Sequence, residues 1–386
     1  MRLAVSRGGS SQARHKRTSQ SAPRTVPAVP ARGGTHYIGM GRMMSQTPGD
    51  RASNRPIAVI VEREGLGDVI LKLPLLRAIR HARPDRAIWW ISAHDTAMEA
   101  AVLPYVEGEI ARVMSQLHFT EPLLQGFRTL KQLPAFSAVF DTRTRVASVL
   151  AARLALTADE YYVCLPGLNR RVGAPWWDRR RPAHIGERAL NLAHQAFDTV
   201  DATGRIAASA GAEALATTIL PPSEPWIGFA FGSNKAWKNW PLERFVALAR
   251  ELRTAGYRPV LLAGPDERAA LPVLAETAPD VDVVDMTAMA IEAPRGKLDA
   301  PLALAPSIKL LVANDCGLGH LFGAAGVPVV SLFGPTKPER WAPNTPAARI
   351  VRAQDFGGSA MTDIPVAPVV AATLDLLREV GISPRP

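Results

Sequence analysis

Two doubly wound α/β halves facing a crevice are what this sequence predicts, and three observations lead there. Apolar runs of strand length alternate with amphipathic helical stretches on both sides of residue 220. A small-residue stretch, residues 201–224, ends in Pro221-Pro222 and separates the two series. Residues 308–341 then carry a complete strand–turn–helix–strand unit whose turn reads Asn314-Asp315-Cys316-Gly317. Alternation of this kind predicts parallel sheets, with ligand at the carboxyl ends of the strands. The length of 386 residues is enough for two such domains.

Residues 1–54 precede the first strand. Eight basic residues (Arg2, Arg7, Arg14, Lys16, Arg17, Arg24, Arg32 and Arg42) face Asp50 alone in the first 50 positions, which gives +7 of the chain's +10. The segment is rich in Ser, Gly, Pro and Arg and has no apolar h-region, so it reads as a disordered basic extension and not as a secretory signal. A mis-assigned start, with Met40, Met43 or Met44 as initiator, an arm for an anionic surface or nucleic acid, an organellar transit peptide and an inert tail all fit it. No function is read from it, and no nucleic acid is expected for the core. The whole chain is 47% hydrophobic and 21% charged, an ordinary soluble composition. No run approaches the ~20 apolar residues of a membrane span. Cys164 and Cys316 form no CxxC or His/Cys cluster, which excludes a disulfide framework and a zinc knuckle and suits a reducing cytoplasm.

The first half is expected over 55–205. Residues 56–61 (PIAVIV) have the near-continuous apolar profile of a buried parallel strand, followed by a helix over 69–82. Strands are expected at 87–92, 138–140 and 161–163, with helices over 146–156 and 185–200. Residues 206–224 are assigned to a linker. The second half, 225–365, has strands at 226–230, 259–263, 281–284, 308–313 and 328–333, and helices over 242–255 and 318–325. A last helix and tail occupy 366–386.

Chemistry is expected where strands meet crevice turns. Gly65-Leu66-Gly67-Asp68 follows the first strand, but Ile70 stands where a dinucleotide fingerprint needs its third glycine, so a nicotinamide enzyme is not predicted. Asp68 is placed either as a general base or as a helix cap. Lys238, just before Trp240-Pro241, is either a neutraliser of a diphosphate leaving group or one solvated lysine among many, and Lys235 is its nearest competitor. Asp266 and Glu267 open a turn after Gly264. The turn at Cys316-Gly317-Leu318 offers main-chain N–H groups at a helix N-terminus, a place that favours a nucleotide diphosphate, with Gly317 and Gly319 leaving room for it; an ordinary α/β crossover with a tight turn is the other reading. Basic and aromatic residues interleave in 161–181, which suits a phosphorylated or carboxylated acceptor, a lipid headgroup surface, or a solvated loop with buried tryptophans; Arg170 and Arg171, together with Arg143, are the acceptor candidates.

Asp315-Cys316-Gly317-Leu318-Gly319-His320-Leu321, Gly326-Val327-Pro328 and Phe333-Gly334-Pro335-Thr336 together resemble the donor-site signature of glycosyltransferase family 9, the heptosyltransferases. Glu62–Val69, Lys238-Asn239-Trp240-Pro241 and the acidic residue after Gly264 resemble its other motifs, in order. The resemblance spans most of residues 56–386. It implies a GT-B fold and an inverting, metal-independent transferase with no cofactor beyond its nucleotide-sugar co-substrate, ADP-heptose. It further implies Asp68 as catalytic base and Lys238, Asp266, Asp315, Cys316, Gly317, Leu318 and His320 as donor ligands. The implied acceptor is a lipopolysaccharide-like glycolipid or other envelope glycan, met at the cytoplasmic face of the inner membrane. Cys316 departs from the family's usual Thr or Ser. A related transferase with another donor, or a non-catalytic nucleotide-sugar-binding protein, are the alternatives.

Overall fold

Strand β1 (Ile57–Val61) is buried along its whole length, as a central strand covered on both faces must be. The computed structural model describes residues 55–165, 167–169, 171–173 and 180–385. In the first sheet β1 pairs in parallel with β2 (Ile88–Ser92) and β4 (Phe136–Asp141). The edges are β3 (Arg112–Met114) and β5 (Ala158–Val163), which gives the order β3-β2-β1-β4-β5. The second sheet comprises β6 (Trp226–Ala230), β7 (Arg258–Ala263), β8 (Asp282–Asp285), β9 (Ile308–Asn314), β10 (Val329–Phe333) and β11 (Ala348–Arg352). It is also wholly parallel, in the order β11-β10-β9-β6-β7-β8. Strand order reverses between β1 and β4 and again between β6 and β9. Those two switch points are where ligands of doubly wound sheets bind.

The helices around the first sheet are α1 (Leu66–Ala82), α2 (Leu123–Lys131), α3 (Val146–Ala155) and α4 (Ile185–Ala196). Next come α5 (Ala210–Ile219), α6 (Leu242–Thr254), α7 (Leu271–Thr277), α8 (Asp299–Leu304), α9 (Gly317–Ala324), α10 (Pro338–Trp341) and α11 (Val366–Glu379). Helix α1 starts three residues earlier than its apolar spacing suggests and continues through Pro74. The stretch read as linker contains α5, capped by Ser209, whose hydroxyl accepts the Ala212 N–H at 3.4 Å. Helix α11 packs on α6, β10 and β11 through Val369, Leu376 and Leu377, so these apolar residues are spent on the second half.

The two halves share one apolar cluster. It runs from Val59, Val69 and Leu76 to Ile308, Leu311 and Val329. Helices α1 and α9, which follow the two switch-point strands β1 and β9, pack directly on each other.

Candidate active site

Asp68 sits in the first turn of α1, where its Oδ2 accepts the Gly65 N–H at 3.0 Å and so caps the helix from within. No partner for Oδ1 is found among the described residues. Burial, the largest influence, pushes the carboxyl above the ordinary aspartate value, against the opposing charges of Lys72 and, more weakly, Lys238. Behind it Glu64 is buried and accepts from Lys72 Nζ at 2.5 Å, Trp90 Nε1 at 2.9 Å and Thr96 Oγ1 at 3.0 Å. Glu64 is thereby fully engaged, whereas Asp68 keeps an oxygen for other work.

Asp68 lines a cavity of about 130 Å³ at the first switch point. Among the described residues, five basic ones, Arg63, Lys72, Arg143, Arg188 and Arg340, line it together with the carboxylates of Glu62 and Asp68. Arg143 is held by Asp141 through two bonds, Nε to Oδ1 at 2.8 Å and Nη2 to Oδ2 at 2.6 Å. Its Nη1 is buried with no hydrogen-bond partner among the described residues. Burial lowers the Arg143 pKa, but the paired Asp141 carboxylate outweighs it, so the guanidinium stays charged. A buried donor without a partner, such as this Nη1, is costly until a ligand satisfies it, and in basic surroundings that ligand would be an anion. Arg171, by contrast, is exposed and lies 3.9 Å from Glu187, away from the cavity lining. Arg170 lies outside the described residues. Lys72, Arg188 and Arg340 were not singled out from the sequence. Lys72 had a usable signal, since it stands four residues after Asp68 and shares its helix face.

At the second switch point Lys238 Nζ reaches Asp315 Oδ2 at 2.7 Å, and Thr336 Oγ1 donates to the same oxygen at 2.7 Å. Asn314 stitches the loop that carries the lysine to β9: its Oδ1 accepts the Trp240 N–H at 3.1 Å and its Nδ2 donates to the Phe231 carbonyl at 2.8 Å. Asp315 is therefore the residue that positions Lys238. Asp266 is exposed, and the neighbouring Glu267 is the carboxylate that turns toward β6. Its Oε2 accepts the Gly264 N–H at 2.9 Å, and a Cβ on Gly232 would fall 1.7 Å from its Oε1. Burial raises the Glu267 pKa. The capping bond to Gly264 thus fixes the third position of the turn, Glu267, and leaves Asp266 exposed beside it.

Helix α9 packs closely against its neighbours at its glycines. A Cβ on Gly317 would meet Leu66 Cβ at 3.0 Å, and one on Gly319 would meet Ala313 Cβ at 3.2 Å. A side chain at either glycine would therefore crowd helix and strand packing, while Cys316, Gly317 and Leu318 themselves stay half-buried. The N–H groups of Leu318 and Gly319 face the Cys316 thiol and lower its pKa, although neither makes a full capping bond; burial dominates and pushes it up to about 11. His320 is 4% exposed and lies against α1, where a Cβ on Gly67 would come within 2.4 Å of its ring. Its Nδ1 has no hydrogen-bond partner among the described residues. Burial, against the opposing pull of Asp315, drives its pKa down to about 4. The folded state therefore resists protonating His320, and its stability is lost as pH falls from 6.5 toward 4. The expected loss is on the order of 3 kcal/mol. Urea unfolding at pH 7 and pH 4.5 checks this: His320→Asn should flatten the difference, and an unchanged difference would assign the acid sensitivity elsewhere.

Comparison with known proteins now bears on this site. The sequence profile of glycosyltransferase family 9 (heptosyltransferase) matches residues 163–363, just over half of the chain. The chain belongs to glycosyltransferase family 9. It is 31% identical over 135 residues to lipopolysaccharide heptosyltransferase 2 of Escherichia coli K12, covering 34% of this chain and 38% of that protein. The match thus spans less than two thirds of that relative's length. To lipopolysaccharide heptosyltransferase 1 of Pseudomonas aeruginosa it is 27% identical over 293 residues, covering 72% of this chain and 79% of the other. The solved Escherichia coli ADP-heptose lipopolysaccharide heptosyltransferase II superposes with a TM-score of 0.56 at 20% identity, covering 84% of this chain and 99% of that one. That likeness shows the GT-B fold. In this family 9 member, Asp68 in the first turn of α1 and Lys238 in the segment after β6 belong to opposite halves, and the Lys238 charge opposes the rise of the Asp68 pKa.

Proposed function

We propose that this family 9 member transfers a heptose from ADP-heptose to an anionic sugar of a lipopolysaccharide-type acceptor, with inversion at the anomeric carbon. Residues 55–205 would serve the acceptor and residues 225–365 the donor. The observation that carries the reading is Asp68, a carboxylate with one oxygen left without a partner among the described residues, at the wall of a cavity that Arg63, Lys72, Arg143, Arg188 and Arg340 also line. The acceptor hydroxyl attacks the anomeric carbon while Asp68 takes its proton. The bond from that carbon to the diphosphate breaks, and Lys238 offsets the charge that grows on the leaving ADP. Arg143, Arg188 and Arg340 suit an acceptor carrying carboxylate or phosphate, Arg143 being one of the three acceptor candidates read from the sequence. Glu267 is the proposed nucleotide contact, with Cys316 and Leu318 at the wall of the donor site. The names of the relatives support lipopolysaccharide as acceptor and ADP-heptose as donor. The reaction would take place at the cytoplasmic face of the inner membrane, with the protein bound peripherally. No helix among the described residues is long and apolar enough to cross a membrane.

Thermal unfolding with a panel of ADP-, UDP- and GDP-sugars tests the donor. ADP-heptose at ~100 times its Kd should add ~2.7 kcal/mol of stability, readily seen as a raised Tm. A shift confined to UDP- or GDP-sugars would replace the donor.

A further inference from the structure

Helix α3 is apolar on both sides. Val149, Ala152 and Ala155 are buried against the first sheet. Val146, Leu150 and Leu154, spaced four apart and hence on one face, are 51%, 51% and 74% exposed. Helix α2 packs beside it and opens with Leu123 and Leu124, 43% and 65% exposed. An exposed helix normally turns polar residues outward, and clustered exposed leucines mark an interaction surface. The fringe is basic. Arg128 and Lys131 on α2 and Arg153 on α3 are exposed; Arg145 at the head of α3 pairs with Glu121 and Glu62. The face is also continuous with the cavity beside Asp68, because Thr142, Arg143 and Thr144 line that cavity and lead through Arg145 into α3.

We propose that the outer face of α2 and α3 is a docking surface for an anionic lipid bilayer. The leucines enter the interface while Arg128, Lys131 and Arg153 meet anionic headgroups. The inference rests on the glycolipid acceptor proposed above: a bilayer at this face leaves the acceptor's lipid in place while its sugar reaches Asp68.

Vesicle flotation of the full chain tests it, without donor or acceptor, so that the outcome is independent of transfer. Wild-type protein should float with phosphatidylcholine vesicles containing ~30% phosphatidylglycerol and much less with phosphatidylcholine alone. Leu124→Glu/Leu150→Glu/Leu154→Glu should cut the partition at least ~10-fold, and Arg128→Ala/Lys131→Ala should cut it less and weaken its salt dependence. The leucine variant should keep wild-type turnover on a de-acylated acceptor and lose it on acceptor embedded in vesicles. Undiminished flotation of both variants would overturn the proposal and assign binding to another region, such as the basic residues 1–50. A wild-type dimer that the leucine variant converts to monomer would overturn it in favour of a contact between copies. Correct flotation with no transfer would leave the docking face standing and remove the proposed reaction.

Discussion

Asp68→Asn should fold, bind donor as tightly as wild type, and lose turnover by ~10²–10⁴-fold, the usual contribution of a positioned base. The asparagine carbonyl still accepts the Gly65 N–H that Asp68 holds at 3.0 Å, so the helix cap survives the change. Only the proton acceptor is removed. Donor titration and kcat with saturating acceptor separate the two roles; a variant with wild-type turnover would reduce Asp68 to a cap. The pH dependence has a definite sign. The Asp68 carboxyl is raised by burial, so the acid limb of kcat should lie above the ordinary aspartate value of 3.8, with rate falling as pH drops through it. In Asp68→Asn that limb should vanish.

Lys238→Ala should weaken donor binding and slow transfer together. Loss of one preorganised group at a leaving anion typically costs ~10²–10³-fold. The structure adds a complication, since Lys238 is already paired with Asp315, whose side chain is 6% exposed. Removing the lysine leaves that carboxylate with Thr336 alone, and an orphaned buried charge destabilises by itself. Lys238→Ala/Asp315→Asn separates the effects: stability should recover while transfer stays low. Recovered transfer in the double variant would show that the lysine serves only to neutralise Asp315. Lys235 is exposed and far less constrained, so Lys235→Ala should change either quantity by less than about threefold.

The interior strands were legible because β1, β6, β9 and β10 lie in sheet interiors and leave long apolar runs with bounded ends. Edge strands left weaker traces. β3 is three residues long with an exposed Arg112 stacked 4.8 Å from the Trp89 ring, and β11 begins and ends among arginines. A charged edge protects a sheet from further pairing, which is the pattern that hides it from an apolar scan. Residues 210–219 read as linker because they are small, yet alanine is also the best helix former, and Ala212 and Ala216 are buried. The site shows the same division. Motif register brought Asp68, Lys238 and Asp315 to the switch points. It did not distinguish Asp266 from Glu267, whose difference is one capping bond. Nor did it find Arg188 and Arg340, which come to the cavity only through the packing of α4 and α10. The close packing of Gly317 on Leu66 and of Gly319 on Ala313 left no trace in the motif, because Leu66 is distant in sequence and Ala313 lies on the far side of the turn.

Acceptor-dependent release of ADP from ADP-heptose, with the anomeric configuration of the product read by NMR, tests the account most directly. Wild-type protein with a de-acylated lipopolysaccharide acceptor should release ADP in step with a new glycosidic bond of inverted configuration, and omission of the acceptor should nearly abolish release. ADP release indifferent to acceptor, or a product of retained configuration, would contradict a base at Asp68 acting on an acceptor hydroxyl.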